Sequence, residues 1–202
     1  MSQHECSAID SGARIGNLVK IGKSVTISKP VSIGQGASLL DNALITRDVP
    51  PYAIMRGHDQ VVDYFGSEDC QLENVSLVDF DIITDDRGSL MFGEFERKIP
   101  FNAKRFFTIF GVRENTSRGD HSHKECHQFV LCLHGTVSVV CDDGKARKKV
   151  FLENSKKGIH INPGVWTSLY SFSEDAVVLV FTSHYYDTQD YIHSYQEFKQ
   201  SI

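Results

Sequence analysis

Arg118-Gly119-Asp120-His121-Ser122-His123, followed five residues on by Gln128-Phe129-Val130-Leu131-Cys132-Leu133-His134-Gly135, is the stretch that decides the fold. On an extended strand, side chains two residues apart leave the same face, so His121 and His123 project together. The run at 129–133 is apolar without alternation, the pattern of a strand buried on both faces. Around it lie other short apolar segments ended by turns, at 75–83, 104–112, 137–141, 146–152 and 176–182. Asp85-Asp86-Arg87-Gly88 marks one turn, and Asp143-Gly144 marks the tip of a hairpin. Many short strands with Gly and Asp turns predict an antiparallel barrel or jelly roll. Only Tyr191, Ile192, Tyr195 and Phe198, at helical spacing, predict a helix, short and packed on the barrel.

Upstream the grammar is different. Ile9, Ile15, Ile21, Ile27, Ile33, Leu39 and Ile45 recur every six residues, and Gly16, Gly22 and Gly34 follow three of them. A six-residue period implies a solenoid with the aliphatic residues stacked inside. It resembles the left-handed β-helix of hexapeptide-repeat acyltransferases, and residues 47–57 are similar to the exit sequence of those helices. Such enzymes use a coil-turn His as general base. None occurs between Ile9 and Ile45, and His4 and His58 lie outside the repeats. The repeats also make only about two coils, so a structural or oligomerisation module is expected rather than an acyltransferase. The chain is thus divided into a truncated hexapeptide-repeat module (1–62), a linker containing Gly66-Ser67-Glu68-Asp69 (63–74) and a barrel domain (75–202).

Composition narrows the function classes. The 202 residues are 41% hydrophobic and 23% charged, ordinary for a globular chain with a real core. A net charge of -5 argues against a nucleic-acid surface. No apolar run is long enough for a membrane helix, and Met1-Ser2-Gln3-His4-Glu5 lacks the pattern of a signal peptide. The five cysteines (Cys6, Cys70, Cys126, Cys132 and Cys141) show no CxxC spacing. Reduced thiols and a cytoplasmic location are therefore expected.

A His pair on a barrel strand resembles the cupin arrangement. In metal-binding cupins a Glu follows the pair and a later strand brings another His. Here those places hold Gln128 and Pro163-Gly164-Val165-Trp166-Thr167, so neither metal nor cofactor is expected. The pair is read as acid/base chemistry. From about 75 to 198 the chain resembles the cupin-fold nucleotide-sugar 3,4-ketoisomerases that act on dTDP-4-keto-6-deoxyglucose. The residues that carry this are Asp86-Arg87-Gly88-Ser89-Leu90, the 118–124 and 128–135 stretches, Pro163-Gly164-Val165-Trp166, and Tyr185-Tyr186-Asp187 with Asp190-Tyr191-Ile192.

That resemblance implies a carbonyl moved from C4 to C3 through an enediolate, for the biosynthesis of a 3-amino-3,6-dideoxyhexose of a surface polysaccharide such as O-antigen. It makes His123 the base at C3 and His121 the partner that relays protons, since imidazole titrates near neutrality. Arg118 would neutralise the enediolate or grip the diphosphate. Arg87 and Arg105 are further candidates for the substrate. Gln128 and Thr167 are also expected to bind the substrate, and Trp166 would stack on thymine or the sugar, or else fill the core. Glu125 and His127 share the parity of the pair and are open to a cavity role. His160, His184 and His193 read as structural, Tyr185, Tyr186, Tyr191 and Tyr195 as packing, and the basic run 145–149 as a solvated face. Where relatives carry Tyr before the His pair, this chain has Phe106 and Phe107. The partners implied are a dTDP-linked 4-keto-6-deoxyhexose and further copies of the chain, as a dimer through the barrel or a trimer through the β-helix. No nucleic acid or membrane is among them. A dTDP-keto-sugar epimerase and a non-catalytic sugar-nucleotide-binding scaffold remain alternative readings.

Overall fold

The structure, a computed structural model, describes residues 7–202. His4, Cys6 and the N-terminal pentapeptide lie outside the described residues. The chain divides into two compact units, one ending at Phe65 and the other spanning Gly66–Ile202.

In the first unit each hexad is one two-residue strand: β1 (Ala8–Ile9), β2 (Arg14–Ile15), β3 (Lys20–Ile21), β4 (Thr26–Ile27), β5 (Ser32–Ile33), β6 (Ser38–Leu39) and β7 (Leu44–Ile45). β1 to β4 each pair in parallel with the strand three hexads on, giving the ladder β1-β4-β7 and the pairs β2-β5 and β3-β6. The turns recur with the same period, because Leu18, Ser24, Gly36 and Asn42 all take positive φ. Ile27, Ile33, Leu39 and Ile45 are almost wholly buried. Ile9, Ile15 and Ile21, on edge strands, stay 46%, 43% and 36% exposed, since among the described residues no further strand pairs beyond them. β8 (Ala53–Arg56) joins β6 in parallel, and β9 (Gln60–Tyr64) then turns back antiparallel to end the ladder.

The second unit is mainly antiparallel. Its elements are β10 (Val75–Asp79), β11 (Ile82–Asp85), β12 (Gly88–Met91), β13 (Arg105–Phe110), β14 (Arg118–His123), β15 (Gln128–His134), β16 (Thr136–Asp142), β17 (Arg147–Glu153), β18 (Lys157–Ile161), β19 (Trp166–Tyr170), β20 (Val177–Thr182), β21 (Tyr191–Ile192) and the helix α1 (Tyr195–Ser201). Two five-stranded sheets form, ordered β10-β18-β15-β20-β13 and β17-β16-β19-β14-β21. They are separate sheets rather than a closed barrel, an arrangement consistent with a cupin-like fold. The 129–133 run is buried on both faces as far as Cys132: Val130 and Cys132 enter the main core, Phe129 and Leu131 enter a second cluster with Phe80, Ile99 and Phe101, and only Leu133, near the strand end, is exposed. Asp143-Gly144 closes the β16–β17 hairpin, with Gly144 at φ 85° and its N–H donated to Asp142 Oδ1.

Several sequence expectations change. The 75–83 segment is two strands, because Phe80 turns inward at 7% exposure and separates β10 from β11. Tyr191 and Ile192 are not helical. They pair with His123 and Ser122, and the helix starts only at Tyr195, capped by Ser194. The stretch read as a linker is tied to the second unit from Gly66 onward, with Ser67 N–H donated to Arg147 O and Leu72 in the core. Lys148, in the basic run, is buried and donates to the carbonyls of Glu68 and Cys70. Among the described residues, no helix is long and apolar enough to cross a membrane.

Candidate active site

A cavity of about 350 Å³ opens in the second unit. Arg118 and His121 of β14 line it, with Gln128 of β15, Thr167 of β19 and Phe107 and Ile109 of β13. A space of this size suits a small ligand fixed by a few polar groups.

His121 carries the freer imidazole. Its Nδ1 is 3.0 Å from Gly119 O. A carbonyl only accepts, so Nδ1 bears the proton and Nε2 is the lone-pair nitrogen. Burial, followed by the neighbouring His123, pushes the His121 imidazole down to about 4, so the ring is neutral at physiological pH. Its ring lies edge-on to His123 at 5.0 Å, beside Tyr191 at 5.0 Å and His193 at 5.9 Å.

His123 sits deeper, only 4% exposed, and both its nitrogens are engaged. Nδ1 donates to Asp190 Oδ2 at 2.6 Å, and Nε2 stands 3.2 Å from the Gln128 amide nitrogen, from which it accepts. Burial lowers its affinity for a proton, and the Asp190 carboxylate opposes that shift only in part. For Asp190, burial works to raise the carboxyl. The bonds from His123 and from the backbone N–H groups of Glu125 and Cys126 outweigh it and hold the carboxyl below its usual range. Tyr191 packs over His123 at 4.3 Å, and its hydroxyl accepts from Arg105 at 3.3 Å.

Asp190 and Tyr191 are the residues sequence reasoning missed. Asp190 lies 67 residues from His123, and the β14–β21 pairing that joins them leaves no local pattern. The available signal was an acid flanked by the aromatic and aliphatic residues of a short strand. His193, read as structural, stands next to His121.

Other expected residues fall elsewhere. Arg105 is not among the cavity-lining residues but stands beside the histidines: it donates to Thr182 and Tyr191, lies over the rings of Phe107 and Tyr186, and its charge helps lower the proton affinity of His123. Arg87, at the tip of the β11–β12 hairpin, is 86% exposed and paired with Asp85, so within the single chain it does not line the cavity. Trp166 points to the face opposite Thr167, packing on Tyr195 at 5.2 Å and Phe198 at 5.8 Å, because adjacent strand residues alternate. It fills the core beneath α1 rather than the cavity. β14 ends at His123, so the parity count to Glu125 and His127 fails. Glu125 is exposed, and His127 stacks on His160 outside the cavity.

Among the described residues, His123, Cys126 and Asp190 bring potential metal-ligand atoms within 4.8 Å of one another. That set is already bonded internally, since Asp190 holds His123 and accepts the N–H groups of Lys124 and Glu125, while the Cys126 thiol donates to His127 O.

Comparisons with known proteins cover this same unit. The TDP-4-oxo-6-deoxy-alpha-D-glucose-3,4-oxoisomerase of Aneurinibacillus thermoaerophilus is 39% identical over 131 residues, 65% of this chain and 94% of that protein. QdtA, a sugar 3,4-ketoisomerase from Thermoanaerobacterium thermosaccharolyticum crystallised with TDP, is 37% identical with a TM-score of 0.63, covering 65% of this chain and 96% of its own. The rmlC epimerase of Mycobacterium tuberculosis, 15% identical, shares the fold at a TM-score of 0.55 over 61% of this chain and 70% of its own. Residues 73–202 match the family described as FdtA: WxcM-like, C-terminal, and the chain belongs to that family.

Proposed function

We propose that this protein is an isomerase that moves the keto group of dTDP-4-keto-6-deoxyglucose from C4 to C3. The observation that carries the reading is His121, its Nε2 lone pair free and its ring on the cavity wall with Arg118, in a chain whose relatives are 3,4-ketoisomerases.

The chemistry needs no net redox. His121 Nε2 takes the proton from C3, and the C–H electrons form the C3–C4 double bond of an enediolate as the C4 carbonyl becomes an oxyanion. The hydroxyl proton on O3 passes to O4. The imidazolium exchanges that proton with solvent and then delivers a solvent-derived proton to C4, while the electrons on O3 close the C3 carbonyl. Arg118 offers a cation to the enediolate, the type of preorganised charge that is often the largest catalytic contribution. His121 replaces His123 as the base because His123 is buried with both nitrogens occupied. His123, held by Asp190, backs the His121 ring. Gln128 and Thr167 contact the sugar from the cavity wall, and the product feeds synthesis of a 3-amino-3,6-dideoxyhexose for a surface polysaccharide.

The first unit is read as a short left-handed β-helix without acyltransferase activity. Assay with acetyl-CoA and a 3-amino sugar nucleotide tests that point, with no transfer expected. The second unit is read as the dimerising part. Ile83, Leu90 and Phe92, in and after the β11–β12 hairpin, are 53%, 59% and 56% exposed, and a second copy would cover them. The free thiols of the buried Cys126, Cys132 and Cys141 suit a cytoplasmic setting.

Incubation with dTDP-4-keto-6-deoxyglucose, followed by NMR, tests the function. A C3 carbonyl is expected. Exchange at C3 or C5 without carbonyl migration would instead make the protein an epimerase, and binding without any change would make it a scaffold.

A further inference from the structure

Arg118 and His121 are three residues apart, an odd interval that on a regular strand sends two side chains to opposite faces. Both nevertheless line the cavity. The ladder with β19 explains how. Arg118 stands opposite Leu169, Gly119 opposite Ser168 and His121 opposite Thr167, so Asp120 has no cross-strand counterpart. One extra residue on β14 is a β-bulge, and it shifts the parity by one. Leu169 and Thr167, two apart on β19, line the same cavity. A regular β14 would present either Arg118 or His121 to this space, and the bulge presents both.

The residue that makes the bulge also holds it. Gly119 and Asp120 both take positive φ, at 88° and 56°. This conformation suits Gly and is tolerated by Asp and Asn better than by most residues. A Cβ at Gly119 would come within 2.8 Å of Thr167 O, so the backbones approach too closely there for a side chain. Ser168 Oγ donates to Asp120 Oδ1 at 2.6 Å, and Ser117 Oγ donates to Oδ2 at 2.8 Å. Ser168, 1% exposed, is itself the cross-strand partner of Gly119. The carboxylate thus ties the residue before β14 to β19 across the bulge, and His121 Nδ1 is anchored inside the same loop at Gly119 O.

We infer that Asp120 is a positioning residue for the isomerisation, its carboxylate clamping the bulge that sets Arg118 and His121 on one cavity face. The inference rests on the roles proposed for those two residues. Asp120 does not line the cavity and acts only through them.

Asp120→Ala, Asp120→Asn and Ser168→Ala in the full chain test it by two readouts: kcat with dTDP-4-keto-6-deoxyglucose, and the NMR titration of the His121 ring without substrate. Asp120→Ala is expected to lower kcat about a hundredfold, the cost of a small misplacement of reacting groups. It should also move the His121 midpoint from about 4 toward the ordinary value, as the ring loses its burial. Asp120→Asn keeps an acceptor and tolerates the backbone conformation, so it should retain most activity. Ser168→Ala should fall between, and adding it to Asp120→Ala should cost little more, because both remove the same clamp. An Asp120→Ala protein with unchanged kcat and His121 titration overturns the inference. If that variant fails to fold, Ser168→Ala decides, and no change in either readout overturns it. Wild-type protein that does not convert the sugar removes the functional reading instead, while the titration still tests the clamp.

Discussion

His123 Nδ1 and Asp190 Oδ2 lie 2.6 Å apart, joined across 67 residues of chain by the pairing of β14 with β21. The bond fixes the tautomer of His123, so its Nε2 faces the Gln128 amide as an acceptor. A carboxylate that holds an imidazole in one tautomer and orientation is the supporting part of many acid/base sites. Here it supports the ring packed against His121 rather than the ring on the cavity.

Removing Asp190 tests that support. Asp190→Ala should lower kcat by roughly 10²-fold, the lower end of what positioned acid/base groups contribute. It should also cost about 2 kcal/mol of stability, because His123 and the backbone N–H groups of Lys124 and Glu125 lose their acceptor. Steady-state kinetics and urea unfolding read the two effects separately. An active, equally stable variant would count against the role.

The depressed proton affinity of His121 sets the pH profile. Its ring is neutral down to about pH 4 in the empty site, so it remains a competent base well below the ordinary His midpoint of 6.5. The acid limb of kcat/KM, which reports the free enzyme, should therefore fall below pH 6.5. A limb at or above 6.5 would assign the base elsewhere.

The same burial links stability to pH. His121 and His160 both titrate at about 4 in the fold, whereas unfolded they bind protons near 6.5. Between those values the unfolded chain binds more protons, so stability is full above 6.5 and is lost as pH falls toward 4. The urea midpoint should decline over that window, and His160→Gln should flatten part of the decline.

Packing in the hexads predicts unequal costs for one substitution. Ile33 is 2% exposed and Ile9 is 46% exposed. Ile33→Ala should cost about 2–4 kcal/mol, within the range for buried large-to-small changes, and Ile9→Ala less than about 1 kcal/mol. Thermal unfolding of the two variants gives the comparison.

What could be read in the chain followed from periodicity. The six-residue repeat marked every strand from β1 to β7, the apolar run at 129–133 marked a strand buried on both faces as far as Cys132, and the two-residue interval marked His121 and His123, whose rings lie 5.0 Å apart. What could not be read depended on tertiary pairing. Asp190 became a site residue only when β21 joined β14, and the helical spacing of Tyr191 with Tyr195 concealed that strand. The bulge at Asp120 brought Arg118 into the cavity against its parity. Trp166 and Thr167 are sequence neighbours, and alternation sent one beneath α1 and the other to the cavity. Burial also sets the two histidines apart, with His121 on the cavity and His123 enclosed by Asp190 and Gln128, a difference that residue type alone does not tell.

The role proposed for His121 is to move the proton between C3 and C4. Its most direct test is to incubate wild-type protein and the variants His121→Asn and His123→Asn with dTDP-4-keto-6-deoxyglucose in D₂O and follow each by NMR. A C3 carbonyl with deuterium at C4 is expected for the wild type. No carbonyl shift and no deuterium are expected for His121→Asn with TDP binding retained, and slowed conversion for His123→Asn. Deuterium entering C4 at the wild-type rate in His121→Asn would contradict that role.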